Sequence, residues 1–300
     1  MDKIGGRPLV FGEVLFDCFP DGRAVMGGAP FNVAWHLQGF GLAPRLVTRI
    51  GTDPQGEEVL SIMRAWGMDT RGIQRDGRHP TGRVQISMQG KAHTFDILPD
   101  QAYDFIDADA AAAAALQAQA GLIYYGSLVS RNAVSAAALK VLLEQNFPAF
   151  VDINLRAPWW RADSLPPLFH RARWAKLNQE ELIELFGEDS GNIELAALAE
   201  RVRVRYGLEL VILTCGADGA LLVKEQQVLQ GEPVAVEDLV DTVGAGDAFS
   251  AVCLLGLTRG WALGEMLKRA LEFAAQICRQ RGATAQDPGL YSDCLRRWQA

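Results

Sequence analysis

The stretch Asp241-Thr-Val-Gly-Ala-Gly-Asp-Ala-Phe-Ser250 sets two glycines between two aspartates and leads directly into an apolar segment. Glycine permits a tight turn and a close approach of the backbone to a ligand. The residues from Ala248 to Leu257 are apolar enough to form a buried helix. The stretch therefore predicts a helix N-terminus, where free N–H groups and the helix dipole bind an anion. Asp247 stands at the predicted helix start, and an N-cap role fits that position as well as a chemical one.

Two other phosphate-binding fingerprints do not fit this chain. A dinucleotide-binding glycine pattern requires a third glycine where Phe249 stands. The nearest match to a Walker A loop, Gly51-Thr-Asp-Pro-Gln-Gly-Glu-Glu58, carries glutamates where lysine and serine or threonine are required. If the chain handles a nucleotide, it does so through a different architecture.

The composition is that of a globular protein with a sizeable core, since 49% of the 300 residues are hydrophobic and 22% are charged. The net charge of −7 argues against nucleic acid or a membrane surface as a partner. No apolar run is long enough to cross a bilayer, and the first residues lack the apolar segment of a secretion signal. We therefore expect a cytoplasmic protein. The 5 cysteines and 4 histidines are scattered, without the spacing of a disulfide framework or a metal site.

Short apolar runs alternate with segments of helical spacing along most of the chain. This alternation predicts an α/β fold with a mostly parallel central sheet and helices on both faces. The predicted strands are Leu9–Gly12, Leu46–Ile50, Leu122–Tyr125, Ala149–Ile153 and Leu210–Thr214. The predicted helices are Asn32–Gly39, Glu57–Trp66, Ala133–Gln145, Ile193–Arg205 and Leu263–Arg281.

Two segments, approximately 13–22 and 81–98, break this rhythm with a period of two. In the second, Val84, Ile86 and Met88 alternate with polar residues, and Gly90-Lys91 offers a turn, which predicts a β-hairpin. An antiparallel ribbon inserted in an α/β chain favours a lid over a site. A surface decoration is the alternative interpretation.

The chain resembles the ribokinase-like (PfkB) carbohydrate kinases. The residues from Asp241 to Asp247 match the C-terminal signature of that family, and Gly27-Gly-Ala-Pro-Phe-Asn-Val-Ala34 matches its N-terminal signature, followed by Gly41 and Gly51. The resemblance extends over nearly the whole chain. It implies a single catalytic domain over residues 1–300, with a three-layer α-β-α ribokinase-like fold and a small β-sheet lid. The strings Asp152–Arg156 and Tyr103–Phe105 are most similar to bacterial fructokinases.

The resemblance implies that Asp247 is the catalytic base. It also implies that the loop beginning at Gly244 forms the anion hole through the backbone N–H groups of Ala245, Gly246 and Asp247. Because the dipole of a helix N-terminus favours a negative charge, we expect it to hold Asp247 ionised and make it a weak base. In phosphoryl transfer, orientation of the hydroxyl then matters more than basicity.

The resemblance also implies sites for ATP and for metal ions. Asn178 and Glu181 resemble a motif that organises Mg²⁺, directly or through water, although a helix start with solvated glutamates gives the same pattern. Asp241 and Thr242, with the backbone near Gly282-Ala283, correspond to a monovalent-cation site, so K⁺ activation is open. The nucleotide contacts implied are Thr214, Gly216, Gly219, Asn178, Gly244 and Gly246, with an ordinary glycine turn as the alternative around Gly216.

For the sugar, the resemblance points to a set of polar side chains and one glycine: Asp17, Gly28, Asn32, Gln85, Tyr103 and Arg156, with Phe95 as a further lid contact. Carboxylate and amide groups suit vicinal hydroxyls, and Gly28 lets the backbone approach the ring. Three alternatives are structural. Asn32 could cap a helix after Pro30, Asp17 could simply end a strand, and Arg156 could form a surface salt bridge.

These features together predict an ATP-dependent sugar kinase, with fructose converted to fructose 6-phosphate as the first choice. Ribokinase, 2-keto-3-deoxygluconate kinase and nucleoside kinase are the alternatives within this class. A sugar-phosphate kinase is a further one, because Arg23, Arg83 and Lys91 fall in or near the predicted lid. A catalytically silent sugar sensor is the non-enzymatic alternative. The exposed edge of the lid also makes a homodimer through the lid a candidate assembly.

Overall fold

The computed structural model describes residues 3–89, 92–187, 194–225 and 227–299. Its main sheet has nine strands in the order β13-β12-β11-β10-β9-β8-β1-β4-β5. The strands from β11 to β5 in this order run parallel, and β12 and β13 are added antiparallel at one edge. The strands are β1 (Arg7–Phe11), β4 (Arg45–Gly51), β5 (Ile73–Asp76), β8 (Ala120–Gly126), β9 (Ala149–Asp152), β10 (Trp174–Asn178), β11 (Leu210–Thr214), β12 (Ala220–Lys224) and β13 (Gln227–Gly231).

Helices cover both faces of this sheet, as the strand–helix alternation predicts. The helices are α1 (Ala29–Gly39), α2 (Pro54–Ala65), α3 (Ala108–Ala118), α4 (Ala133–Leu143), α5 (Pro166–His170), α6 (Gln179–Phe186), α7 (Leu195–Tyr206), α8 (Ala245–Arg259), α9 (Leu263–Ile277) and α10 (Pro288–Gln299). One core cluster joins the sheet to α1, α2, α8, α9 and α10, and a second joins it to α3, α4, α5, α6 and α7. The three-layer α-β-α arrangement is therefore confirmed. The predicted helix start at Ile193 lies outside the described residues.

A second, smaller sheet of four strands forms the lid, in the order β3-β2-β6-β7. Its strands are β2 (Leu15–Cys18), β3 (Ala24–Gly27), β6 (Gly82–Gln89) and β7 (Ala92–Ile97). The predicted hairpin is present, since β6 and β7 pair antiparallel with Val84 opposite Ile97. Its predicted turn at Gly90-Lys91 lies outside the described residues. Strand β3 follows the predicted segment 13–22 and was not foreseen.

The period of two in β6 has the expected consequence for burial. Val84 and Ile86 are 5% and 2% exposed, whereas Gln85 and Ser87 on the other face are exposed. Val84 and Ile97 pack with Leu15 of β2 and with Leu128, and Trp159 covers this cluster. The lid is thus attached to the main body by an apolar face rather than by polar contacts alone.

Candidate active site

The candidate site lies at the carboxyl edge of the parallel sheet, next to the lid. Glu13 follows β1, while Asp152, Asn178 and Thr214 end β9, β10 and β11. Parallel strands bring their carboxyl ends to one edge, and ligands bind there in open α/β sheets. The N-terminus of α8 reaches the same edge, since Ser250 of α8 donates a hydrogen bond to Asp152 at 2.7 Å.

The anion loop, defined as Gly244 to Asp247, begins α8. Gly244 is the N-cap residue with φ 79°, and a Cβ on it would lie 2.4 Å from Ala283, so only glycine fits. The Ala245 N–H bonds the Thr242 carbonyl at 3.3 Å. Across the part of the chain that the structure describes, the N–H groups of Gly246 and Asp247 have no acceptor. These two donors, rather than all three predicted ones, are free for an anion.

Asp247 occupies the first turn of α8 and is held by a residue far away in sequence. The Asn32 Nδ2 atom donates to the Asp247 Oδ2 atom at 2.8 Å. The N-cap interpretation of Asp247 is therefore wrong, because Gly244 takes that position without any side-chain cap. The cap interpretation of Asn32 is also wrong, since Gly28 precedes α1 as its N-cap and Asn32 is buried within the helix.

The electrostatics of Asp247 differ from the prediction made from the helix dipole alone. Burial raises the pKa of Asp247 from 3.8 to about 6, and the hydrogen bond from Asn32 lowers it only in part. Nearby Asp152 raises this pKa further, while Lys176 and Arg156 lower it. A carboxylate with a pKa near neutrality is a better base than the dipole argument indicated.

Glu13 is a functional candidate that the sequence reasoning missed. It is 4% exposed, and its Oε2 atom has no hydrogen-bond partner among the described residues. Burial raises its pKa to about 7, with Asp247 raising it and Arg156 lowering it as smaller causes. The signal was available, because a glutamate directly after the apolar run Leu9–Gly12 falls at the ligand-binding edge of the sheet.

Gly28 lies against the backbone of Glu13, and Arg156 is near enough to act on the charges of Glu13 and Asp17. A Cβ on Gly28, whose φ is 105°, would lie 2.8 Å from the Glu13 carbonyl oxygen. Burial raises the pKa of Asp17, whereas Arg156 lowers it. Arg156 makes no ion pair within the described ranges, so the surface salt bridge is not seen. Its charge instead acts on Glu13, Asp17 and Asp247.

The remaining predicted sugar contacts, Tyr103, Gln85 and Phe95, differ in burial and in the face on which they lie. Tyr103 is wholly buried, its hydroxyl has no partner among the residues described, and the Arg131 guanidinium lies 5.0 Å from its ring. Gln85 does not reach the site: Asp17 is in register with Val84, and Gln85 lies on the opposite face, donating to the Cys18 carbonyl at 3.4 Å. Phe95 lies opposite Ile86, on the same face as Asp17, and is 63% exposed.

Asn178 and Glu181 form a capping box at the start of α6. The Asn178 Oδ1 atom accepts from the Glu181 N–H, and the Glu181 Oε2 atom accepts from the Asn178 N–H, both at 2.8 Å. The Glu181 Oε1 atom accepts from the Leu155 N–H at 2.7 Å. Both carboxylate oxygens therefore already serve backbone N–H groups, and Glu181 is 6% exposed, so it is not a solvated glutamate. Within the described ranges, no three His, Cys, Asp or Glu side chains are grouped to hold a metal.

The residues predicted for the monovalent cation lie beside the anion loop, whereas Thr214, Gly216 and Gly219, predicted for the nucleotide, lie at the end of β11 and in the turn that follows it. A Cβ on Gly219, with φ 88°, would lie 2.2 Å from the Gly231 carbonyl oxygen, so the turn itself requires glycine. Gly216 has φ 56°, and the Thr214 hydroxyl lies 3.5 Å from the Leu177 carbonyl. Asp241 accepts from the N–H groups of Val243 at 3.0 Å and Gly282 at 3.2 Å, which joins the two segments of the predicted cation site.

This fold and this site define a class of protein: an α/β protein with an anion-binding helix N-terminus beside a raised-pKa carboxylate, an arrangement suited to phosphoryl transfer. Comparison with protein-family models matches residues 19–289 to the family described as pfkB family carbohydrate kinase. The chain belongs to this family. No helix among the described residues is long and apolar enough to cross a membrane.

Individual relatives support the same assignment. A putative sugar kinase of Pyrococcus horikoshii is 30% identical over 273 residues, which is 86% of this chain and 82% of the relative. A fructokinase of Escherichia coli is 28% identical, covering 94% of this chain and 95% of the relative. The crystal structure of the Pyrococcus protein has a TM-score of 0.82 at 26% identity, covering 98% of this chain and 99% of that one. Its complex with ATP has a TM-score of 0.78 at 26% identity, covering 92% and 93% of the two chains.

A more distant solved structure shares the fold. The fructokinase of Vibrio cholerae, solved with fructose, ADP and a potassium ion, has a TM-score of 0.79 at 22% identity, covering 97% of this chain and 99% of that one. The chain is thus a PfkB sugar kinase with a ribokinase-like fold.

Proposed function

We propose that this kinase transfers the γ-phosphoryl group of ATP to a hydroxymethyl group of a small sugar, with fructose giving fructose 6-phosphate. One observation carries the proposal: the Asp247 carboxylate is held by Asn32 beside the two free N–H groups of the anion loop. A base and an anion hole on consecutive residues suit a reaction in which a hydroxyl attacks while charge grows on the transferred group.

In the proposed reaction, Asp247 accepts the proton of the attacking hydroxyl. Its pKa of about 6 leaves it ionised at neutral pH yet basic enough to take a proton late in a loose transition state. The N–H groups of Gly246 and Asp247 stabilise the charge on the transferred phosphoryl group. Asn32 fixes the orientation of the carboxylate, so it positions the base rather than taking a proton itself.

Unpaired polar atoms around the site support a polyol as the acceptor. The Glu13 Oε2, Asn32 Oδ1 and Tyr103 hydroxyl atoms are buried without partners among the described residues. Each such atom left unbonded costs free energy, and sugar hydroxyls both donate and accept hydrogen bonds. Three acidic groups, Glu13, Asp17 and Asp247, further favour an uncharged substrate over an anionic one.

The cationic side chains near the lid give less support to a sugar phosphate than the unpaired polar atoms give to an uncharged sugar. Arg23 pairs with Asp21 at 2.6 Å, and Arg83 donates to the Gln55 side chain at 2.5 Å. Lys91 lies outside the described residues. Arg156 alone favours a second candidate, a sugar acid such as 2-keto-3-deoxygluconate, because its unpaired guanidinium fork matches a carboxylate.

Magnesium and potassium belong to the same proposal. Because both Glu181 oxygens already accept N–H bonds, Asn178 and Glu181 fit Mg²⁺ through bound water rather than by direct ligation; such an ion neutralises phosphate charge. A monovalent cation would bind to Asp241, Thr242 and the backbone near Gly282. Thr214, Gly216 and Gly219 border the nucleotide in this proposal.

A homodimer through the lid edges of β3 and β7 is the proposed assembly, and sedimentation velocity tests it.

The substrate is tested by coupled ADP release across fructose, ribose, 2-keto-3-deoxygluconate, nucleosides and fructose 6-phosphate. We expect the highest kcat/KM for fructose and a loss of about 10³-fold or more in Asp247→Asn. The matched control is Asp163→Asn, an exposed aspartate paired with Arg161, which should retain wild-type rates. Preference for another acceptor would redirect the substrate proposal, and an undiminished rate in Asp247→Asn would refute the base.

A further inference from the structure

A buried ion pair lies beneath the anion loop. Lys176 of β10 and Asp152 of β9 are in register on neighbouring strands, and the Lys176 Nζ atom lies 2.9 and 3.0 Å from the two Asp152 oxygens. The two residues are 6% and 1% exposed. Burial alone would lower the pKa of Lys176, but the Asp152 carboxylate raises it, so the lysine stays charged.

Two contacts connect this pair to the first turn of α8. The Ser250 hydroxyl lies 2.7 Å from the Asp152 Oδ2 atom and 3.0 Å from the Gly246 carbonyl oxygen, and it can donate to either acceptor. A Cβ placed on Gly246 would lie 3.6 Å from the Lys176 Nζ atom. The ammonium group therefore lies against the backbone of the residue that precedes the base.

The stability of the fold does not account for this arrangement. Removing two charges from water costs as much as their attraction returns in many proteins, and apolar residues of similar volume often serve as well. Here the pair lies against Gly246, the residue before Asp247, and it acts on Asp247 with charges of both signs. Asp152 raises the pKa of Asp247, and Lys176 lowers it.

We propose that Lys176, Asp152 and Ser250 form a positioning network that orients the anion loop and balances the charge at the catalytic carboxylate. The Ser250 hydroxyl lies between the Asp152 carboxylate and the Gly246 carbonyl, so it holds the direction of the peptide that joins Gly246 to Asp247 and of its N–H group. Lys176 offsets the repulsion that a lone Asp152 would exert on Asp247. None of the three is proposed to touch the sugar.

Several other polar groups face Asp247 and are constant in the experiment below. They are Glu13 after β1, Asn32 of α1, Tyr124 of β8 and Arg156 after β9. Because these groups are unchanged in each variant, a shift in the titration of Asp247 reports on the removed charge.

The test is the pH profile of kcat/KM for two charge-removing variants, and it rests on the proposed sugar kinase activity. Lys176→Met leaves Asp152 uncompensated and should move the acid limb to higher pH. Asp152→Asn leaves Lys176 and should move it to lower pH. We expect shifts of roughly 0.5 to 1 pH unit, below the one to three units typical of charges in direct contact.

Three further variants separate the effect on rate from the effect on charge. Ser250→Ala keeps both charges, so it should lower kcat by roughly 10-fold, as for small misplacements of reacting groups, without shifting the acid limb. The double variant Lys176→Met/Asp152→Asn should return the acid limb toward its wild-type position while kcat remains low. Lys176→Arg should recover part of the Lys176→Met loss.

The control is Arg45→Met, which removes a buried arginine paired with Asp69 at 2.8 Å, at the opposite end of the sheet. It should destabilise the protein and leave the pH profile unchanged. Shifts in the same direction for Lys176→Met and Asp152→Asn, or an equal shift in Arg45→Met, would overturn the proposal.

A measurement without substrate keeps this proposal distinct from the substrate assignment. The carboxyl carbon of Asp247 can be titrated by ¹³C NMR in protein labelled at aspartate and assigned with Asp247→Asn. Opposite shifts of this titration in the two charge-removing variants support the network even if fructose is not the acceptor. Unchanged titrations in both variants refute it, whatever sugar the enzyme uses.

Discussion

The carboxylate of Asp247, the proposed base, should cost the protein stability, so Asp247→Asn should abolish turnover and stabilise the fold at the same time. Burial raises the pKa of Asp247 from 3.8 to about 6, which means that the folded state disfavours the charged form. A shift of this size corresponds to about 3 kcal/mol. Because the side chain keeps some contact with solvent, we expect a smaller gain of about 1 to 2 kcal/mol for the neutral amide.

The sign of this effect depends on pH. For a carboxyl whose pKa is raised on folding, its favourable contribution is complete below about 4 and is lost as pH rises through about 6. The wild-type protein therefore loses stability across this window, whereas Asp247→Asn does not. The difference between the two should be near zero at pH 4 and reach its full size above pH 7.

The assay is denaturant unfolding of both proteins at pH 4.5 and pH 8, with the exposed Asp163→Asn variant as the matched control. We expect a higher midpoint for Asp247→Asn at pH 8, an almost unchanged one at pH 4.5, and no gain for Asp163→Asn at either pH. A variant less stable than wild type at pH 8, or a gain independent of pH, would refute the burial argument. Either result would place Asp247 in a solvated or fully compensated site.

Three further predictions concern the groups around Asp247. Glu13→Gln removes a buried carboxyl whose pKa of about 7 reflects its burial and the nearby Asp247 charge, so a titration near pH 7 should disappear from the kcat/KM profile; an unchanged profile would separate Glu13 from the site. Asn32→Ala removes the hydrogen bond that lowers the pKa of Asp247, so the acid limb should move to higher pH and kcat should fall about 10- to 100-fold. Gly244→Ala brings a Cβ to within 2.4 Å of Ala283, and isothermal titration should show weakened ATP binding; wild-type affinity would contradict the required left-handed N-cap.

The α/β architecture and the place of the anion loop follow from local sequence patterns. Buried parallel strands are apolar on both faces, so β1, β4, β8, β9 and β11 stand out as short hydrophobic runs. The glycines of the anion loop identify a helix N-terminus because their effect is local to the backbone. Strand β10 was missed, since the buried Lys176 in its middle interrupts the apolar pattern.

Which polar side chains meet depends on how the chain folds, and local patterns do not indicate it. Asn32 and Asp247 are 215 residues apart in sequence, yet their side chains are joined at 2.8 Å. The period of two in β6 predicts that Gln85 and Val84 lie on different faces of the lid. It does not indicate which of these faces covers the site. The raised pKa of Asp247 likewise reflects how many atoms exclude water around it, whereas the dipole argument considered a single helix. Local patterns set backbone geometry, but burial and charge coupling are sums over neighbours that the chain brings together only when it folds.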